Sequence, residues 1–138
     1  MIDTVELLTF EVDSRLIGVE ISEVDTITMT SSLKNKAKDF LEPYNKNNTY
    51  FDSNILFNFS KIQTPEAYIS FAYEEHVCCV GVSHIHSIIN AEITNILALP
   101  DYVMDIQNPL FVWGCCLHED SLILLVTFQY LLQEGAHG

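Results

Sequence analysis

Four cysteines and five histidines are the side chains of this 138-residue chain best equipped for chemistry. The cysteines form two vicinal pairs, Cys78–Cys79 and Cys115–Cys116. Cys115, Cys116 and His118, joined by His84 and His86, are candidate metal ligands. Zinc, however, favours separated ligands such as Cys-x2-Cys, because adjacent strand residues point to opposite faces. Read as small core hydrophobes and turn histidines, these residues need no ion, and neither a metal nor a cofactor is expected. Cys79 and His84 are close enough in sequence to suggest a thiol nucleophile and its base. No oxyanion-hole loop and no third, orienting group accompanies them, so no enzyme activity is expected. The five glycines are scattered and form neither a P-loop nor a dinucleotide fingerprint. Phe111 and Trp113 sit two apart on one strand face, as core packing or as an aromatic anchor for a protein partner. A small metal- or redox-responsive domain built on the Cys/His residues stands as the alternative to a purely binding role.

Composition narrows the partners. The chain is 49% hydrophobic and 18% charged, with a formal net charge of −13. That suits one packed domain or two small lobes sharing a core. All six basic residues, Arg15, Lys34, Lys36, Lys38, Lys46 and Lys61, precede Ile62; the remainder carries nine carboxylates and every histidine. Such a surface repels phosphate backbones and anionic lipid, which argues against nucleic acid and membrane partners. The longest apolar run, Leu122–Val126 extending to Leu132, is too short for membrane insertion, and the N-terminus lacks a basic export region. With no secreted-type cysteine spacing, the expected setting is a reducing cytoplasm.

Hydrophobic period places these residues on a β-rich frame. Glu6–Val12 and Arg15–Ile21 alternate as two strands around Asp13-Ser14. Ser22 is a candidate cap for a short helical turn. Leu33, Ala37, Phe40 and Leu41 have helical spacing behind Ser32 as N-cap, and the Pro/Asn-rich stretch Glu42–Thr49 reads as a loop. Ile55–Phe59 alternates again. Tyr68–Tyr73 and Val77–Val82 form a second hairpin around Glu74-Glu75, and Leu110–Leu117 with Ser121–Phe128 a third. Pro100-Asp101 marks a break, and Tyr130–Gln133 starts a short helix.

The second half repeats the first. Leu8-Thr-Phe10 matches Ile69-Ser-Phe71, Gly18-Val19 matches Gly81-Val82, and Ser22–Ile27 matches Ser83–Ile88. Ile55–Phe59 aligns with Leu124–Phe128. A single duplication implies two similar β lobes rather than a solenoid, with the second half-repeat beginning near residue 66.

In this order and spacing the fragments resemble the CheW-like adaptor family of bacterial and archaeal chemosensory systems. Leu8-Thr-Phe10 is similar to the family's opening strand. Gly18, Ile21, Val24 and Ile27 follow its Gly-Ile-Asp-Ile…Val-x-Glu-Ile pattern, with Thr26 where Glu is usual. Val80-Gly-Val82, Leu99-Pro100, Trp113-Gly114 and Leu122–Leu125 continue the match, while Asn58 and Thr127 replace a common Asp. The family's Gly-Val-Ile-Asn-Leu-Arg-Gly signature is absent before Ile55. The resemblance implies a mainly β fold of two SH3-like five-stranded β-barrel lobes with short helices, one domain over residues 1–138. It also implies a non-enzymatic adaptor linking a histidine kinase regulatory domain to chemoreceptor cytoplasmic tips. Val24 and Thr26 are the partner-contact residues carried over.

Overall fold

The computed structural model describes residues 3–33, 37–47, 49–52, 64–98 and 112–128. Its frame is three hairpins. β1 (Thr4–Val12) pairs antiparallel with β2 (Arg15–Glu20), β5 (Ala67–Tyr73) with β6 (His76–Val82), and β9 (Val112–His118) with β10 (Ser121–Val126). The first two turn at Asp13-Ser14 and Glu74-Glu75 as expected, while in the third the strand runs through His118, expected in the turn, and leaves Glu119-Asp120 to make it. Asp13, Ser14, Glu74, Glu119 and Asp120 all carry positive φ there, the backbone hand that suits strand twist. None is glycine, so each sits where a Cβ is crowded. Replacing Glu119-Asp120 by Asn-Gly should raise stability by about 1 kcal/mol. The check is a higher urea midpoint at unchanged slope.

Beyond each hairpin the chain crosses to strands outside it. After a 3-10 turn (Ile21–Glu23), β3 (Val24–Met29) pairs with β5 of the other half. β7 (His84–Glu92) leaves β6 and pairs with β1. β4 (Tyr50–Asp52) lies parallel to β6, and β10 lies parallel to β2. A second 3-10 turn leads to β8 (Ile96–Ala98), which pairs with β9. Among the described residues the result is a six-stranded sheet, β7-β1-β2-β10-β9-β8, and a four-stranded sheet, β3-β5-β6-β4. The mainly β, two-lobed expectation holds; among the described residues six strands lie in one sheet and four in the other.

Both faces of the central strands are buried, which explains their apolar density. Leu8, Phe10, Val12, Ile17 and Val19 meet Ile69, Phe71, Cys78, Val80 and Val82 between the sheets. Phe71 and Phe128 join the lobes with ring centroids 4.4 Å apart. On the opposite face, Leu7, Ala91, Cys116, Ile123 and Leu125 form a second core within the six-stranded lobe. Trp113 packs there, in keeping with its core reading.

The four-stranded lobe is filled differently. Where the second half has β8 and β9 between β7 and β10, the first has α1 (Thr30–Leu33) and α2 (Ala37–Lys46) between β3 and β4. Phe40 of α2 packs on Tyr68 at 5.6 Å, and Tyr50 meets Tyr68 at 6.2 Å. Three local expectations are corrected here. Ser32 lies inside α1, its hydroxyl donating to the Met29 carbonyl, so it is not the N-cap of the short helix expected behind it. Glu42–Lys46 is helix, not loop, even though Pro43 removes a backbone donor at a typical cost of ~3 kcal/mol. Asn47 and Thr49 compensate by donating to the Pro43 and Tyr44 carbonyls, while Phe40 and Tyr44 pack as a pair. Finally, Ser22 sits within its 3-10 turn and makes no cap bond. Ile55–Phe59, Leu99-Pro100, Phe111 and Tyr130–Gln133 lie outside the described residues.

Candidate interaction surface

β3 is an edge strand among the described residues, and its first half carries both partner-contact candidates. Val24 is half-buried and packs against the inter-sheet core. Thr26 is exposed, flanked by exposed Asp25 and Ile27. The strand register shifts between them, with Val24 opposite Phe71 and Thr26 opposite Ser70, so Asp25 bulges outward. Ser70 is buried and needs partners. Thr26 satisfies it: its N–H donates to Ser70 Oγ at 3.1 Å, and the two hydroxyls meet at 2.5 Å.

The other lobe repeats this device. Thr9 is buried, donates its hydroxyl to the Ser87 carbonyl at 2.7 Å, and accepts the Ser87 N–H at 3.2 Å. Here too the register shifts, with Thr9 opposite Ser87 and Phe10 opposite Ile85, leaving His86 as the extra residue. The repeat already aligns Thr9 with Ser70 and Thr26 with Ser87, but not the bonds each pair makes across the strands. Glu23 also escaped sequence reasoning. Its carboxylate accepts the Thr127 hydroxyl at 2.9 Å and the Phe128 N–H at 3.0 Å. The turn that launches β3 is thereby tied to the end of β10.

The chemistry candidates are dispersed. All four cysteines are free, and each vicinal pair points two ways. Cys78 lies in the inter-sheet core, while Cys79 is buried on the face near Tyr44, Tyr50 and Tyr68. Burial pushes both thiols up to about 12. Burial also raises the three tyrosines. A thiol so placed is not a thiolate at neutral pH, and His84 is instead exposed and bonded to Glu66. The Cys79–His84 pairing is therefore not a nucleophile and base. Cys116 is buried in the second core, whereas Cys115 is half-buried on the opposite face beside Leu97 and Leu124. Among the described residues, no three His, Cys, Asp or Glu side chains gather to hold a metal ion.

His84 marks the crossing from β6 to β7. Its Nδ1 bonds the Glu66 carboxylate, which raises its pKa above the ordinary histidine value. A raised folded pKa means the contribution is complete below the unfolded value of about 6.5 and fades as pH rises through the folded one. Stability should thus decline over that window. His84→Gln should flatten the decline, measured as Tm against pH at low salt.

Among solved structures, the crystal structure of the scaffolding protein TtCheW from Thermoanaerobacter tengcongensis superposes with a TM-score of 0.66 at 13% sequence identity. The match covers 91% of this chain and 90% of that one. The fold is CheW-like. Neither protein-family models nor curated protein sequences match the chain. Among the described residues, no helix is long and apolar enough to cross a membrane.

Proposed function

We propose that this protein is a non-enzymatic adaptor that links a histidine kinase regulatory domain to chemoreceptor cytoplasmic tips in the cytoplasm. The observation that carries this reading is the extent of the CheW-like match, over nine-tenths of both chains. The whole chain acts as one domain, since each sheet is assembled from strands of both halves. Binding takes place on exposed strand edges, where an open ladder and apolar side chains meet a partner. Val24 and Thr26 belong to the contact: Thr26 lies open on the edge, and Val24 anchors it to the core.

The test is calorimetric titration of this protein with the regulatory domain of a chemosensory kinase from the same genome. Binding is expected, and Thr26→Arg should weaken it about tenfold, whereas Thr26→Ala, which loses the same Ser70 hydrogen bond without adding bulk or charge, should lower Tm by a similar amount and bind nearly as well as the unaltered protein. No binding by the unaltered protein would overturn the kinase arm. Because α1 and α2 stand where the family's Asn-Leu-Arg-Gly signature would be, the receptor tip is titrated separately.

A further inference from the structure

The six-stranded sheet is wider than the sheet that covers it. Leu8, Phe10, Ile17, Val19 and Val126 meet the four-stranded sheet across the shared core. The same face then runs on over the outer strands. Leu124 lies opposite Ile17 and Cys115, Cys115 opposite Leu97, and Leu117 opposite Leu122, so these side chains share it. Leu124 is half-buried at the margin of the core. Beyond it, Leu97, Leu117 and Leu122 are 71%, 57% and 61% exposed. They form an apolar face on the order of 300 Å², the size at which such faces on monomers are often functional.

Size and charge choose the occupant. A stable dimer buries roughly 800 Å² on each partner, well above this face. Two copies at −13 each also repel, so a second copy of the chain is disfavoured. The strands β8, β9 and β10 span two interstrand spacings, roughly 10 Å, which is the width of one helix. The rim has a sign. Glu119 and Asp120, both exposed, form the turn just beyond the Leu117–Leu122 pair, whereas Arg15, which adjoins Leu122, is already engaged. We propose that this face docks a single amphipathic helix of a partner protein, its leucine-sized side chains on Leu97, Leu117 and Leu122 and a basic residue toward Glu119 and Asp120. The face lies on the other sheet from β3, so it stands apart from the kinase contact tested above.

The experiment is an amide NMR titration of the full chain with a synthetic helix of about 15 residues. The peptide carries leucines at i, i+3, i+4 and i+7 and two lysines at one end. A scrambled peptide of the same composition, and one with glutamates for the lysines, serve as controls. The helix should shift amides of β8, β9 and β10, with a dissociation constant on the order of 0.1 mM. Each control should bind about tenfold more weakly. Leu117→Gln combined with Leu122→Gln should lose about tenfold, with a dispersed spectrum to verify the fold. Glu119→Gln combined with Asp120→Asn should remove the preference for lysine over glutamate. The proposal is overturned if about 1 mM peptide leaves those amides unmoved, or if either control binds as well. It is equally overturned if sedimentation shows a dimer that the double leucine variant dissociates. Nuclear Overhauser contacts placing residues 99–111 on Leu97 and Leu117 in the free chain would overturn it too.

Discussion

Severed between Gln63 and Thr64, the chain is expected to yield two fragments that are each unfolded and that fold together on mixing. The reason is the strand exchange. The six-stranded sheet takes β1 and β2 from the first fragment and β7 to β10 from the second. The four-stranded sheet takes β5 and β6 from the second fragment and β3 and β4 from the first. Either fragment alone loses partners on both sides of its central hairpin and exposes half of the inter-sheet core. An isolated hairpin is marginal at best in water. Amide NMR spectra should be collapsed for each fragment and dispersed for the equimolar mixture. A dispersed spectrum from the first fragment alone would show that a lobe forms without exchange.

Gly114→Val should be the most damaging single substitution outside the large core side chains. Gly114 sits in β9 with Ala98 on one side and Leu125 on the other. A Cβ there would lie 2.6 Å from the Leu97 carbonyl oxygen, a backbone atom that cannot swing aside. The contact is relieved only by separating β8 from β9, at about 3 kcal/mol or more. That is a large share of an ordinary domain's stability. Gly18→Ala meets the Ile123 Cγ2 at 3.0 Å, a side-chain methyl with some freedom, so about 1 kcal/mol is expected. Urea unfolding of the two variants measures the difference, and equal midpoints would refute the argument from backbone proximity.

The hairpins were legible because period-2 alternation and two-residue polar turns are local signals. Leu8, Phe10 and Val12 announce a buried face, and Asp13-Ser14 its end, without reference to the rest of the chain. The helix through Pro43 was not legible, because its compensation is tertiary: Phe40 rests on Tyr68, 28 positions away. Ser22 and Ser32 carry the residue type of a cap, yet neither caps, because capping depends on where the backbone turns. The cysteines were ambiguous for a similar reason. Adjacent thiols diverge by strand geometry, but only packing shows that Cys79 is sealed beneath aromatic rings and Cys115 is not.

By itself, then, the sequence determined a β-rich, duplicated, acidic chain whose vicinal cysteines point to opposite faces of their strands. Those properties arise from residue type and spacing, which act over a few positions. The tertiary structure decided which half supplies each strand, and hence that Thr26 answers Ser70 and Glu23 answers Phe128. Such pairings join residues 44 and 105 positions apart. No local pattern specifies them, because they are selected by the burial of two sheets against one shared core.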